Sequence, residues 1–321
     1  MKVVIPGGTG QIGQVLVRAL LARGDDVVVL SRGGRSAARV AHWDGRTLGT
    51  WAEEFEGADA VINLAGRSVN CRYTLTHVTE MLRSRVDSTL LVGSAIARCA
   101  RPPRSWLQMS TATIYAHRFD AANDEETGWI GGAEPDAPRR WDFSVEIAKA
   151  WERALFGSKT PATRCVALRS AVMLSADPST HLDLLLGLVR LGLGGRVSGG
   201  RQYVSWIHER DFVRAVEFLL TRPDLEGPIN LASPNPLPQR EFMAALRDAA
   251  GVPIGLPATS WMAEVGAFLL RSDTELLLKS RRVVPGRLCR AGFTFEFATW
   301  LDAARDLVAR RRARARASLA A

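Results

Sequence analysis

Tyrosine is scarce in this sequence: three residues in 321, Tyr73, Tyr115 and Tyr203. Any chemistry that needs a phenol has only these to draw on. Cysteine is almost as rare, with Cys71, Cys99, Cys165 and Cys289. No two are close enough for a C-x-x-C ligand pair, which argues against a structural zinc site; no metal is expected. Reduced thiols in a cytoplasmic protein are the simplest reading of the four. Lysine occurs only at Lys2, Lys149, Lys159 and Lys279; the 42 basic residues less these four leave 38 arginines. No stretch approaches the ~18 uncharged apolar residues of a membrane span. The best candidate, 181–193, is short and carries Arg190. A signal peptide is not expected either, because the apolar run after Lys2 stops at Pro6-Gly7-Gly8.

What is present is an ordinary globular composition, 47% hydrophobic and 23% charged, long enough for one large domain or two modest ones. The net charge of +9 is uneven. Residues 309–321 hold Arg310, Arg311, Arg312, Arg314 and Arg316 and no acid. Such a tail can bind nucleic acid. No aromatic interleaves with these arginines as a stacking platform requires, so nucleic acid is the disfavoured reading. A helix end with its arginines in water is the expected one.

Apolar runs alternate with helical periodicity along the first half of the chain. Strands are expected at 2–5, 27–30, 58–64, 105–109 and 165–168, with helices over 11–23, 76–100 and 141–155. Unbroken apolar strands alternating with helices predict an α/β fold: a doubly wound parallel sheet covered on both faces. Past Leu174 the alternation weakens, which suggests a smaller C-terminal lobe. The expected organisation is a dinucleotide-binding domain over 1–170, completed by about 203–232. A substrate lobe takes 171–202 and 233–308, and a basic tail 309–321.

The first strand runs into Gly7-Gly8-Thr9-Gly10-Gln11-Ile12-Gly13, and a helix follows. Gly7, Gly10 and Gly13 have G-x-x-G-x-x-G spacing. Absent side chains allow a tight turn and close approach of backbone to a pyrophosphate. The helix N-terminus supplies N–H donors. Thr9, Gln11 and Ile12 belong to the same candidate site. The second strand ends at Leu30-Ser31-Arg32, with Arg35 close behind. An NAD-selective site usually carries an acid here for the ribose 2′-hydroxyl. Ser31, Arg32 and Arg35 suit a 2′-phosphate instead, so NADP(H) is the expected cofactor.

The chain resembles an atypical, extended short-chain dehydrogenase/reductase of the YfcH-like "epimerase family" branch of Rossmann proteins, nearly end to end. The likeness rests on the glycine turn, on 57–66 (GADAVINLAG), on Ser84-Arg85-Val86-Asp87-Ser88-Thr89 and on Trp141-Asp142-Phe143 ahead of Trp151-Glu152. Residues 199–208 (GGRQYVSWIH) with Asp211, 227–236 (GPINLASPNP) and 291–295 (AGFTF) add to it. The resemblance implies that Asn63, Leu64, Ala65 and Gly66 line the adenosine and ribose side of the cofactor. Thr111 falls on the position of the superfamily's catalytic Ser/Thr; a turn hydroxyl satisfied by backbone is the competing reading.

The superfamily's usual machinery is Tyr-x-x-x-Lys on one helix face. Here Lys149 is in the right region, but Val145 stands four residues earlier. Valine has no proton to give. The expected catalytic set is therefore Thr111, Lys149 and a substitute acid, for which Tyr115 has the best claim. Glu146, Tyr203 and His208 are weaker candidates, and His208 reads better as a structural residue. Asp211 reads as the N-cap of the helix it opens. In the glycine-rich stretch 194–201, Arg196 and Arg201 could clamp an anionic small-molecule substrate. Two functions compete: an NADP(H)-dependent oxidoreductase or epimerase-like enzyme with a nonstandard proton donor, and a non-catalytic NADPH-binding sensor or scaffold. A homodimer is open by analogy with the superfamily.

Overall fold

A computed structural model describes residues 1–320 other than Asn70, Arg72, Pro135, Asp136, Arg139, Arg140 and 260–274. Residues 260–274, within the expected substrate lobe, and Ala321, within the tail, therefore lie outside the described residues. The strands are β1 (Lys2–Pro6), β2 (Asp26–Ser31), β3 (Arg39–His42), β4 (Ala60–Asn63), β5 (Ser105–Thr111), β6 (Arg164–Ser170), β7 (Val172–Leu174), β8 (Tyr203–Val204), β9 (Trp206–His208), β10 (Gly227–Leu231) and β11 (Leu237–Pro238). The helices are α1 (Gln11–Ala22), α2 (Leu75–Ile96), α3 (Asp142–Phe156), α4 (His181–Arg190), α5 (Glu209–Thr221), α6 (Gln239–Ala250), α7 (Glu275–Leu278), α8 (Gly286–Arg290) and α9 (Trp300–Ala320).

Seven strands form one parallel sheet in the order β10-β6-β5-β4-β1-β2-β3. This is the doubly wound α/β architecture that the apolar alternation predicted. Val3 and Ile5 pack on one face with α1 and α5, while Val4 packs on the other with α2 and Leu155 of α3. Strand order reverses at β1, so the ligand crevice of such a sheet opens at the carboxyl ends of β1 and β4. The edge strand β3 has no clear sequence signal because its residues are mostly exposed.

A second core joins α4 and α6 to Trp206 and the first half of α9, through Leu182, Leu186, Phe242, Leu246, Trp300 and Leu307. Phe242 and Trp300 stack with centroids 4.1 Å apart. Arg312, Arg314 and Arg316 at the end of the last helix are exposed, as the sequence suggested, but several of its arginines also have distant partners. Arg310 pairs with Glu209 at 2.5 Å, Arg311 with Asp183 at 2.6 Å, and Arg314 with Asp177. Arg312 donates to the Ala250 carbonyl at 2.6 Å. These acids lie far away in sequence, so the composition of 309–321 gives no hint of them.

Candidate functional site

The crevice is built from the glycine turn. Gly7 has φ +78°, and a Cβ there would lie 2.8 Å from the Ala65 amide nitrogen. At Gly13 a Cβ would lie 2.4 Å from the Gly8 carbonyl oxygen. Both positions need glycine, one for the turn beside β4 and one for the close return of α1. Gly10 precedes α1 in extended backbone and has no side chain to cap it, and no acid stands in the first turn. The first N–H groups of α1 thus keep both their donors and the positive end of the dipole for a ligand anion.

Ser31, at the end of β2, is buried. Its hydroxyl donates to the Gly33 carbonyl at 2.6 Å, accepts from the Gly33 amide at 3.2 Å and lies 3.1 Å from the Thr9 hydroxyl. This ties the β2 turn to the glycine turn. Arg32 and Arg35 follow, both exposed. Neither makes an ion pair or hydrogen bond among the described residues. The corner where an acid would hold a ribose hydroxyl instead presents two uncommitted guanidinium groups.

Asn63 is fully buried at the end of β4. It donates to Gln108 Oε1 at 2.9 Å and accepts from the Ala65 amide at 3.0 Å, which fixes the course of Leu64, Ala65 and Gly66. On β5, Thr111 accepts from the Thr113 amide at 3.1 Å, so its hydroxyl proton stays available to donate. On α3, Val145 is buried, and Lys149 meets Glu146 at 2.8 Å. Both side chains flank Gly132, where a Cβ would lie 3.3 Å from Lys149 Nζ. Lys149 thus lies half-exposed on the same helix as the buried Val145.

Tyr115 is placed differently from the role the sequence suggested. It is 2% exposed, and its hydroxyl donates to Asn230 Oδ1 at 2.9 Å and accepts from Arg169 Nη1 at 2.9 Å. Arg169 in turn forms a two-pronged pair with Glu152, at 2.9 and 2.8 Å, and Ser110 donates to the same carboxylate at 2.7 Å. Burial, only partly offset by Arg169, pushes the Tyr115 phenol above its ordinary value. The phenol is committed to a network joining β5, β6, β10 and α3 and has no open face for a substrate. The Glu152 of the Trp151-Glu152 motif finds its explanation in the same network.

His208 is buried, bonds Asp306 at 3.0 Å and stacks on Phe297 with ring centroids 3.9 Å apart. Burial, opposed by Asp306, lowers its pKa. His208 is also the N-cap of α5, accepting from the Arg210 amide at 3.1 Å. Asp211, expected to be that cap, sits inside the first turn instead. It accepts from the Glu296 and Phe297 amides at 2.7 and 2.8 Å and so anchors the chain before α9.

The loop that carries Arg196 and Arg201 is held on α6 by Gln239, which accepts from the Val197 amide at 3.0 Å and donates to the Gly195 carbonyl at 3.3 Å. Both arginines are exposed and make no ion pair among the described residues. A C-terminal segment that the sequence did not single out closes on the turn after β5. Lys279, 3% exposed, donates to the Thr113 carbonyl at 3.1 Å and lies 3.6 Å from Glu275, which accepts from Ser144 at 2.6 Å. Burial and neighbouring Arg281 bring the Lys279 amine down to about 8. Lys279 stands 166 residues from its partner, beyond the reach of any spacing rule.

Residues 3–232 match the model of the NAD dependent epimerase/dehydratase family, and 259–307 match a domain of unknown function, DUF1731. Epimerase family protein SDR39U1 from Bos taurus is 31% identical over 315 residues, 96% of this chain and 100% of the relative. Epimerase family protein MT2273 from Mycobacterium tuberculosis is 31% identical over 300 residues, covering 92% of this chain and 94% of the relative. The crystal structure of human SDR39U1 (isoform 2), solved with NADPH, superposes with a TM-score of 0.82 at 28% identity, covering 96% of this chain and 99% of that one. With its doubly wound sheet and its glycine turn opening onto β4, the chain belongs to the NAD dependent epimerase/dehydratase family, as an atypical member.

Proposed function

We propose that the protein binds NADP(H) and acts as an oxidoreductase or epimerase-like enzyme on a small, anionic molecule. One observation carries the cofactor assignment: the uncapped N-terminus of α1 lies beside a β2 turn whose Arg32 and Arg35 are uncommitted. The dipole end suits a pyrophosphate and the guanidinium pair a 2′-phosphate. The NADPH in the human relative's crystal supports the same reading. When bound, the dinucleotide supplies or accepts hydride. Thr111 then donates a hydrogen bond to the substrate oxygen, and Lys149 supplies positive charge and a proton on the Val145 face of α3. Arg196 and Arg201 hold the anionic end of the substrate. Tyr115 holds the sheet and not the substrate.

The test is titration with NADPH and NADH, followed by NADPH consumption across aldehydes, ketones, enones and nucleotide sugars. Turnover that falls in Thr111→Val and Lys149→Met supports the enzyme. Tight NADPH binding with no turnover in any class supports the second reading, a non-catalytic NADPH sensor or scaffold. The buried Val145 favours that reading, because it leaves the usual proton-donor position apolar. Among the described residues no helix is long and apolar enough to cross a membrane and no His/Cys/Asp/Glu group suits a metal ion. We place the protein in the cytoplasm, with four reduced cysteines. A homodimer remains a proposal by analogy, checked by light scattering.

A further inference from the structure

We propose that Arg85 is an anion-binding residue of the crevice and that its anion is a phosphate group. The inference deepens the dinucleotide reading above and rests on it. Arg85 lies half-buried on α2. Its Nη1 donates to the Met81 carbonyl at 3.1 Å, and its guanidinium carbon lies 5.0 Å from the Trp151 ring centroid. No carboxylate meets it among the described residues. The acids of its own helix are engaged or turned away: Glu80 pairs with Arg67, and Asp87 is exposed two residues on, away from the Arg85 face. Burial without a counter-charge lowers the guanidinium to about 10. A cation held this way is costly until something neutralises it.

The surroundings show where the neutralising group would sit. A Cβ on Gly66 would lie 3.4 Å from Arg85 Cγ and 3.5 Å from its guanidinium carbon. The glycine backbone therefore runs alongside the half-buried guanidinium. Gly66 follows Ala65, against which Gly7 of the glycine turn packs. The turn, the end of β4 and Arg85 are thus successive neighbours along the crevice. The α1 N-terminus serves one end of an extended phosphate-bearing ligand, and the planar fork of Arg85 serves a phosphate beyond it. Contrast Arg169, buried inside the sheet, which is matched by the two oxygens of Glu152. The phosphate can come from the cofactor's diphosphate or from a phosphorylated substrate.

Calorimetric titration of the full chain separates these sources, using wild type, Arg85→Met and Arg85→Lys. The probes are NADPH, 2′,5′-ADP (which lacks the second phosphate of the diphosphate), and inorganic pyrophosphate added to NADPH-saturated protein. If the cofactor supplies the phosphate, Arg85→Met binds NADPH about tenfold or more weakly, 2′,5′-ADP is unaffected and Arg85→Lys recovers part of the loss. If a substrate supplies it, NADPH binding is unchanged and pyrophosphate binding is lost. In both cases the ligand-free Tm of Arg85→Met stays level or rises, because an uncompensated cation has been removed. Unchanged affinity for NADPH and pyrophosphate overturns the proposal. So does a ligand-free Tm lowered by several degrees with all three affinities falling together, which marks a packing role. Wild type that fails to bind NADPH refutes the cofactor reading, while the pyrophosphate arm, run without NADPH, still decides Arg85.

Discussion

The arginines of the last helix and those around the crevice look alike in sequence and differ completely in their partners. Arg310, Arg311 and Arg314 each meet a carboxylate from a distant element. Arg32, Arg35, Arg85, Arg196 and Arg201 meet none among the described residues. The first group spends its charge on the fold; we propose that the second keeps it for a ligand. Composition counts charges, whereas function depends on which charges the fold leaves unmatched.

The sharpest way to break this contrast is to unmatch a buried arginine. Glu152→Gln strips Arg169 of its partner inside the sheet and should cost about 3–5 kcal/mol of stability, read by denaturant unfolding. Next in size, Arg32→Ala should lower NADPH affinity by about 1.5–3 kcal/mol, with unfolding stability held within about 0.5 kcal/mol. A stability loss without an affinity loss would move Arg32 into the first group. Tyr115→Phe should cost about 1–3 kcal/mol by orphaning Asn230 and Arg169, with turnover per folded molecule unchanged. A collapse of turnover without loss of stability would return Tyr115 to the reaction.

The smallest effect belongs to the tail. Arg311→Ala should cost no more than about 1 kcal/mol, and less in high salt, since the pair is only partly enclosed. Its pH dependence has a definite sign. Burial alone would raise the Asp183 carboxyl, but bonds from Arg311 and the Ser179 amide hold it below its ordinary value. The stabilisation is therefore complete above the ordinary carboxylate range and is lost as pH falls through the lowered value. Wild type and Arg311→Ala should converge in unfolding free energy in acid.

Local signals were legible in the sequence. The β1–turn–α1 unit needs only an apolar run, three spaced glycines and one amphipathic helix, all within 22 residues. The missing acid after β2 is equally local. What depends on distant partners was not legible. Asp211 looks like a cap because it is an acid at a helix start, yet the capping bond goes to His208, three residues earlier. Tyr115 looks like an available phenol until Asn230, 115 residues on, accepts its hydrogen bond. Arg85, in the Ser84–Thr89 motif, shows no role in the sequence, because its lack of a carboxylate partner among the described residues is visible only in the folded chain.

The most direct test of the account is paired calorimetric titration of wild type and Arg32→Ala with NADPH and NADH. Unmatched guanidinium groups at the β2 turn predict NADPH tighter than NADH by tenfold or more, about 1.4 kcal/mol or above. Most of that gap should vanish in Arg32→Ala. Equal affinity of the wild type for the two cofactors would contradict the claim that these arginines are kept for phosphate.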